Sequence, residues 1–306
     1  MGWKKLFGII YNYYGSRSST TTGTSVSLGC NMKLKSTIER WLSNNLGAKR
    51  TFLLVWRFFS PLLRLINLRV IPGYFWFIRD WRSYNAAGGA AKISDWYPCF
   101  LDKTATTTFD PQYFYQAVWG MKKIVASSVA EHVDVGSEIG FVGMLSAVTN
   151  VTFVDIRPVS IQLEGFSCQE GSIVSLPYES ETIGSLSCMH VIEHIGLGRY
   201  GDPLDPNGSI KACHELERVL SPGGMLYITV PIYGDNDTSM KVHFNGFRNF
   251  GVKDVISYFP DLELVSFSMV NGNRDFVQNV EPENVTIVMN GFVDFALGMF
   301  EFRKPA

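Results

Sequence analysis

HVDVGSEIGFVG, residues 132–143, reads as a buried strand, a tight bend and the beginning of a helix. The strand ends at Asp134 and Gly136, and Gly140 follows where the chain turns into the helix. A glycine at such a bend lets the backbone approach a ligand that a Cβ atom would hold off. In an open α/β sheet, ligands bind at the carboxyl ends of the strands, beside helix N-termini. The stretch therefore predicts a ligand site at this bend.

Strand-like and helical patterns alternate from this stretch towards the C-terminus. Repeated β and α units indicate a mainly parallel sheet with right-handed crossovers. We predict an α/β, Rossmann-like domain of seven strands, the last of them antiparallel, with a loop running through Pro177. Six of these strands are placed at 132–135, 151–155, 183–189, 225–231, 262–270 and 284–303, and the predicted helices lie near 141–148, 207–220 and 252–259.

A helix is also predicted directly before the bend. Asp110 is suited to the N-cap and Pro111 to the first helical position. The predicted apolar face carries Phe114, Val118, Met121 and Val125, and the aromatic residues Tyr113, Tyr115 and Trp119 are interpreted as core residues.

We predict an N-terminal extension over residues 1–94 and the main domain over 95–306. The tract 16–29 is rich in Ser, Thr and Gly and buries too little apolar surface to be ordered. A capping box of Ser36 and Glu39 predicts a short helix over 38–46. An aromatic arm then follows at 51–80. The extension is thus predicted to be helical and partly disordered.

The aromatic arm is the most apolar part of the chain. Arg57, Arg64 and Arg69 interrupt it, and Pro61 and Pro72 break its helical pattern. A membrane-spanning helix would bury those guanidinium groups at about 2.5–3.5 kcal/mol each. Two readings remain open: peripheral contact with the inner face of a membrane through 51–80, and a helical arm packed on the main domain.

Composition narrows the partners and the compartment. The 27 basic and 28 acidic side chains give a net charge of -1, which removes the electrostatic argument for a nucleic-acid partner. The five cysteines are scattered, with no CxxC pair or zinc-ribbon spacing. We therefore expect reduced thiols, a cytoplasmic protein and no metal site. The oligomeric state is left open.

Charge also selects the ligand expected at the bend. Asp155 ends the next strand, 19 residues beyond Gly136, where a carboxylate can accept both hydroxyls of a ribose. Glu138 lies within the bend and no basic residue falls between Gly136 and Gly143, so a pyrophosphate would face a carboxylate. S-adenosylmethionine carries no phosphate, and its sulfonium and ammonium groups tolerate nearby acids. The pattern thus favours S-adenosylmethionine over a dinucleotide.

Several motifs carry a family resemblance. DVGSEIG resembles motif I of class I S-adenosylmethionine-dependent methyltransferases, and FVDIRP resembles the acidic end of their second strand. SIVSLPYESETIGSLSCMHVIEH is similar to their adenine loop and fourth strand, and ELERVLSPGGMLYITVP to their fifth strand. A narrower resemblance, to a methyltransferase-like family of unknown function whose bacterial members often accompany surface-polysaccharide genes, is carried by YFYQAVWG, HVIEHIGLGRYGDPLDPNG, FNGFRNF and GMFEFRK.

The resemblance implies roles for individual residues. Those implied to hold the methionine end of the cofactor are Asp134, Gly136, Ser137 and Gly140. Asp155 would bind the ribose hydroxyls, and Ile156, Ser172 and Ile173 would contact adenine. His190 is a further candidate for cofactor binding. Two positions depart from the family pattern: Glu138 replaces the middle glycine of motif I, and Ser172 replaces an aspartate that often meets the adenine amine.

The block after the fourth predicted strand is where we expect catalysis. His190 and His194 titrate near neutrality and are candidate bases for a hydroxyl acceptor, with Glu193 or Asp202 orienting the imidazole. His243 is a further residue that could reach the mouth of the same site. The expected acceptor is a small molecule, a glycan or a glycan precursor, the glycan being implied by the resemblance alone.

Two rival readings stay open. HVIEH matches the HxxEH zinc-ligand pattern of inverted zincins, which requires both histidines on one helical face. The other rival is a methyltransferase-fold protein that binds a ligand or partner without turnover, which the departures at Glu138 and Ser172 motivate.

Overall fold

A computed structural model describes residues 70–100, 102, 104–233, 240–285 and 295–306. Its contacts divide the chain into two units, Met1–Phe109 and Asp110–Ala306. The sequence places the boundary at 94/95, whereas the contacts divide directly before the helix cap Asp110. The Ser/Thr/Gly tract, the capped helix at 38–46 and residues 51–69 of the aromatic arm lie outside the described residues.

The described part of the first unit is a helix, α1 (Val70–Ala86), and a segment that returns along it. The Asn85 side chain holds this segment, since its amide nitrogen donates to the Ala91 carbonyl (3.1 Å) and its oxygen accepts from the Ala91 N–H (2.9 Å). Trp96 packs edge-on against Phe77 and Trp81, with centroids 5.3 and 5.2 Å away. Pro72 does not break α1, because it lies in the first turn, where a missing N–H removes no helical hydrogen bond.

Within the described residues, no helix is both long enough and apolar enough to cross a membrane. Peripheral contact through 51–80 stays a prediction.

The second unit begins with α2 (Pro111–Ser127), whose predicted cap is confirmed: Asp110 accepts from the Gln112 N–H. The predicted apolar face is partly wrong, because Phe114 and Val125 are 52% and 49% exposed. Trp119 is a core residue as predicted, whereas Tyr113 is 45% exposed. The buried face consists of Gln116, Trp119, Gly120 and Ile124.

The remaining elements alternate between strands and helices, as the sequence predicts. The strands in chain order are β1 (Glu131–Val135), β2 (Asn150–Asp155), β3 (Phe166–Glu170), β4 (Ile183–Met189), β5 (Leu220–Ile232), β6 (Lys241–His243), β7 (Phe247–Asn249), β8 (Glu263–Val270), β9 (Phe276–Val277) and β10 (Ala296–Arg303). The α-helices are α3 (Ile139–Leu145), α4 (Gly208–Val219) and α5 (Val252–Ser257), and short 3₁₀ helices lie at Ile93–Asp95, Ile192–His194 and Pro282–Asn284.

Eight strands form one sheet in the order β3-β2-β1-β4-β5-β10-β8-β9, while β6 and β7 form a separate pair. Strands β1 to β5 pair in parallel, and β10 runs antiparallel to both β5 and β8. The Rossmann-like arrangement with an antiparallel last strand is therefore confirmed. The sheet has eight strands rather than seven, and β3 and the two-residue β9 are not among the six placed from the sequence.

Two strand predictions need correction. The region before Pro177 is not only loop, since it contains β3, which pairs with β2. The last strand is shorter than the predicted 284–303 and begins at Ala296. It lies between β5 and β8 in the sheet.

The core has two apolar clusters, one on each face of the sheet. Neighbouring strand residues such as Tyr227 and Ile228 belong to different clusters, as the two-residue period of a strand requires. Helices α4 and α5 contribute to one cluster, and α2 and α3 to the other. The carboxyl ends of β1, β2 and β4 therefore meet at one edge of a sheet that is covered on both faces.

Candidate active site

The bend between β1 and α3 is tight and requires glycine. Gly136 has a φ of +70°, and its N–H donates to the Val154 carbonyl (2.9 Å). A Cβ atom at this position would lie 3.1 Å from a methyl group of Val191 and 3.8 Å from Oδ2 of Asp155. The carboxylate of Asp155 thus faces the bend.

Asp134 supports the bend from behind. Its side chain is fully buried and accepts hydrogen bonds from the Ser137 N–H (3.0 Å), the Ser137 hydroxyl (2.7 Å) and the Ser187 hydroxyl. Burial raises the pKa of Asp134 to about 6, although these three donors favour the charged form. Ser137 in turn accepts from the Met189 N–H (3.0 Å), which ties the bend to β4.

Glu138 caps α3. Its two carboxylate oxygens accept from the Gly140 and Phe141 N–H groups, each at 3.0 Å. A carboxylate is favourable at a helix N-terminus, where the first N–H groups lack partners. The N–H groups that a pyrophosphate would use are therefore already occupied, and Glu138 does not lie among the residues that line the pocket described next.

One pocket opens beside the bend at the carboxyl ends of β1, β2 and β4. Eight of the predicted site residues line it: Gly136, Asp155, Ile156, Ser172, Ile173, His190, His194 and Asp202. Four others do not line it and support it from behind or from the side: Asp134, Ser137, Gly140 and Glu193. The structure thus brings the predicted ribose-binding side and the predicted catalytic side to a single pocket.

The ribose-binding side is formed by the end of β2 and the loop after β3. Oδ1 of Asp155 accepts from the Arg157 N–H (2.7 Å), which fixes the carboxylate beside the bend. Ile156 is 39% exposed, so an apolar surface is free there, whereas Ile173 is buried in the core at 6%. The Ser172 hydroxyl lies 3.4 Å from the Val174 N–H.

His190 lines the predicted catalytic side of the pocket. It follows β4 with a φ of +58°, a region that non-glycine residues seldom adopt. Its Nδ1 lies 2.6 Å from Oε1 of Glu193, a carboxylate that is 1% exposed. Its Nε2 is buried and has no hydrogen-bond partner among the described residues. A ring nitrogen in this state can accept a proton from a group that enters the pocket.

Tyr113 covers the His190 ring. The two rings are stacked with centroids 5.2 Å apart and an interplanar angle of 25°. Burial raises the pKa of Tyr113, and the charge of Glu193 raises it further. The sequence interpretation of Tyr113 as a core residue is wrong: it forms part of the mouth of the site.

His194 is held differently. Its Nδ1 lies 2.7 Å from the Gly246 carbonyl, so this nitrogen carries the proton, and its Nε2 lies 3.7 Å from Oε1 of Glu193. Burial lowers the pKa of His194. Of the two carboxylates proposed to orient an imidazole, Glu193 contacts both histidines, so the choice falls on Glu193.

Asp202 contacts the backbone of its own loop. Its carboxylate accepts from the backbone N–H groups of Gly196 (2.7 Å), Gly198 (3.4 Å) and Tyr200 (3.3 Å). It therefore folds the loop that follows the 3₁₀ helix and does not orient a histidine. His243 is not among the pocket residues; its ring packs on Phe247 in the β6–β7 pair, with centroids 4.7 Å apart.

The hypothesis of a zinc site requires an α-helix over HVIEH, and the described residues form no α-helix there. His190 has a left-handed backbone, and the motif continues into a 3₁₀ turn, so the two histidines do not share one face of an α-helix. Within the described residues, no group of three or more His, Cys, Asp or Glu side chains is placed to hold a metal ion.

Sequence reasoning missed Arg248, a residue that supports the site and is 1% exposed. Its guanidinium donates to the carbonyls of Ile195, Asp205 (3.2 Å) and Pro206 (3.4 Å) and to the Ser209 hydroxyl (3.0 Å). It fastens the segment between the 3₁₀ helix Ile192–His194 and α4, which we call the pocket loop, to β7. The FNGFRNF motif contains it, but no pattern in that motif distinguishes a buried arginine from an exposed one.

A family model described as "Caenorhabditis protein of unknown function, DUF268" matches residues 177–275. That span includes β4, the pocket loop and Arg248. No curated protein matches the chain. The description fits the predicted resemblance to a family of unknown function, and it names neither bacteria nor polysaccharides.

Several solved structures are similar to this chain. The [4+2]-cyclase SpnF is 15% identical, with 76% of this chain and 96% of that chain covered and a TM-score of 0.45. The N-methyltransferase NodS from Bradyrhizobium japonicum WM9 is 16% identical, with 67% and 100% covered and a TM-score of 0.44. A putative sarcosine dimethylglycine methyltransferase from Galdieria sulphuraria is 14% identical, with 63% and 86% covered and a TM-score of 0.44. Because one fold hosts many activities, we take the function from the site.

Proposed function

We propose that this chain is a class I, S-adenosylmethionine-dependent methyltransferase that methylates a hydroxyl oxygen of a glycan or glycan precursor. The observation that carries the proposal is the shared pocket: Asp155 faces the Gly136 bend on one side, and His190 presents an unpartnered Nε2 on the other.

The residues on the cofactor side fit an adenosyl compound without phosphate. Gly136 leaves the space that a Cβ atom would fill, and Asp155 can accept the ribose hydroxyls. Ile156 offers apolar surface for the adenine ring. Since Glu138 occupies the first N–H groups of α3, a pyrophosphate has no donors there. When bound, S-adenosylmethionine supplies an electrophilic methyl group on a positively charged sulfur.

The residues on the acceptor side fit a hydroxyl nucleophile. An alcohol oxygen that gains a methyl group must lose its proton, and Nε2 of His190 is the acceptor for that proton. Glu193, bonded to Nδ1, fixes the tautomer and stabilises the imidazolium that forms. The buried position of Glu193 strengthens this interaction because the local dielectric constant is low.

The second candidate is a protein that binds the cofactor without turnover. Glu138 and Ser172 favour it because both replace residues of the family pattern. Such a protein would bind S-adenosylmethionine and release no S-adenosylhomocysteine with any acceptor.

The test is a transfer assay with methyl-labelled S-adenosylmethionine and a panel of sugars, nucleotide sugars and glycans. We expect labelled product and S-adenosylhomocysteine from the wild type. His190→Gln should lower turnover by about 10²–10⁴-fold, the usual contribution of a general base, with little change in cofactor binding. His214→Gln, on the exposed side of α4, is the matched control. Full turnover in His190→Gln would refute the assigned base.

A further inference from the structure

Two arginines contact one aromatic ring at the mouth of the pocket. Arg157 follows β2, whereas Arg199 and Tyr200 belong to the pocket loop. Cζ of Arg157 lies 4.6 Å from the centroid of the Tyr200 ring, and Cζ of Arg199 lies 5.0 Å from it. Both Arg157 and Tyr200 line the pocket. Cation–π contacts of this length hold the guanidinium groups in place. We call these three residues the Arg–Tyr–Arg cluster.

The terminal nitrogens of both guanidinium groups have no carboxylate partner among the described residues. The nearest acid to Arg157 is Asp155, at 3.8 Å through Nε, and the Arg157 side chain is 61% exposed. Arg199 donates to the Gly246 carbonyl (3.2 Å) and forms no ion pair with a carboxylate in the described part of the chain. The terminal nitrogens of both arginines therefore keep donors free for a ligand.

The acids around the mouth are already engaged. Asp202 accepts three backbone N–H groups of its own loop. Asp205 pairs with Lys211 (2.7 Å) and accepts from the Asn207 N–H (2.9 Å), and the hydrogen bond from Lys211 lowers the pKa of Asp205. Asp155 is the remaining pocket acid, and it approaches the cluster through Nε of Arg157, so no carboxylate in the described residues pairs with the terminal guanidinium nitrogens.

The cluster adjoins the proposed base. The Tyr200 ring lies edge-on to His194, with centroids 5.5 Å apart. Arg199 also reaches towards His194, with 3.3 Å between Nη1 and Nδ1. His194 and His190 both contact Glu193, and both line the same pocket as Arg157 and Tyr200.

We propose that the Arg–Tyr–Arg cluster binds an anionic group, a carboxylate or a phosphate, of the molecule whose hydroxyl meets His190. Guanidinium groups bind both anions through paired N–H donors, and an aromatic ring between them suits a sugar ring that carries the charge. That this molecule is the methyl acceptor rests on the proposed function, whereas anion binding by the cluster does not.

The test is calorimetry on the full chain with three probes: glucose, glucuronic acid and glucose 1-phosphate. We expect at least one charged probe to bind about tenfold or more tightly than glucose, and the better of the two identifies carboxylate or phosphate as the group recognised. Arg157→Gln and Arg199→Gln should each remove this preference. Arg274→Gln, an exposed arginine in the β8–β9 turn, removes the same charge elsewhere and should keep it.

Equal or undetectable binding of all three probes would overturn the inference, as would a preference that survives both cluster variants. A parallel titration with S-adenosylmethionine separates the two proposals. Cofactor binding without anion preference refutes only the cluster, and anion preference without cofactor binding refutes only the methyltransferase.

Discussion

Gly136 and His190, which both line the pocket, have left-handed backbones. For a histidine this conformation is unfavourable and persists only when the surroundings enforce it. Here the His190 N–H donates to the Thr229 carbonyl (2.9 Å) while its ring is held by Glu193 and Tyr113. The backbone thus holds one imidazole in the wall of the pocket that Gly136 also lines.

Gly136→Ala should damage both stability and cofactor binding. An L-residue in the left-handed region costs about 1–2 kcal/mol, and the new methyl group would press on Val191. We expect the free energy of unfolding to fall by about 1–3 kcal/mol and the affinity for S-adenosylmethionine to fall at least tenfold. Chemical denaturation and calorimetry measure the two effects.

Gly143→Ala is the matched control, since it lies in α3 with a helical backbone and nothing within 4 Å of a new Cβ atom. It should leave binding unchanged and stabilise the helix by up to about 1 kcal/mol. Equal effects of the two substitutions would contradict the account of the bend.

The sequence predicts the bend glycine and the acid of β2, because both follow from strand ends in a parallel sheet. It leaves Glu193 and Asp202 undecided, because both are near His190 in the chain and only folding shows which carboxylate turns towards it. Tyr113 is also beyond sequence reasoning, since an aromatic residue in the first turn of an amphipathic helix is equally compatible with core and surface.

At the scale of elements, the pocket wall depends on a loop fastened at two points. Asp202 binds the loop from within, and Arg248 binds it from β7. Burial lowers the pKa of Arg248, while the nearby charges of Asp205 and Asp202 raise it. Backbone carbonyls and one hydroxyl, not a paired carboxylate, are its hydrogen-bond partners.

Arg248→Met should therefore destabilise the protein strongly, because several buried acceptors lose their donors. We expect a loss of about 2–4 kcal/mol in the free energy of unfolding, measured by chemical denaturation. Arg303→Met, at an exposed ion pair with Glu263, should cost at most about 1 kcal/mol. A loss at Arg248 no larger than that at Arg303 would show that the loop does not depend on this contact.

Elements with strong apolar patterns were predictable, and weakly patterned ones were not. β2 and β4 are each rich in buried apolar residues, and β1 buries Val135 beside His132 and Asp134. β3, FSCQE, has no fully buried residue, so no alternation distinguishes it from loop. The buried face of α2 includes Gln116, whose oxygen accepts from the Thr229 hydroxyl (2.7 Å), a polar core contact that hydrophobic periodicity cannot reveal.

At the scale of the whole molecule, a buried network links stability to pH. The Ser187 hydroxyl is hydrogen-bonded to both Nε2 of His132 (2.8 Å) and Oδ2 of Asp134. Burial raises the pKa of Asp134 to about 6 and lowers that of His132 to about 3. Both differ from the values of an unfolded chain, about 3.9 and 6.5, so each group contributes a pH-dependent term.

The contributions of Asp134 and His132 to the free energy of unfolding change in opposite directions with pH. Between about pH 4 and 6 the folded state holds the Asp134 proton that the unfolded chain has lost, so this term lowers stability as pH rises, by about 1.4 kcal/mol per pH unit. The His132 term is present above pH 6.5 and is lost as pH falls towards 3. Asp134→Asn removes the first term only. Its stability relative to wild type should therefore increase from pH 4 to 6.

Denaturation at pH 4, 5, 6 and 7 measures this difference, with Glu164→Gln as the control for loss of an exposed carboxylate. A difference between Asp134→Asn and wild type that stays constant from pH 4 to 6 would contradict the assignment of a raised pKa to Asp134.

The overall architecture was predictable as a class, and the strand order was not. Alternating β and α patterns indicate a parallel sheet, but the position of β10 between β5 and β8 depends on pairing between residues far apart in the chain.

The most direct test of the central claim is calorimetric titration of the full chain with S-adenosylmethionine. The account predicts binding of one molecule per chain, a loss of at least tenfold in affinity for Asp155→Asn, and unchanged affinity for Glu138→Gln, whose amide oxygen can still accept from one of the two N–H groups at the start of α3. Absence of binding to the wild type, or binding that Asp155→Asn leaves unaltered, would contradict it.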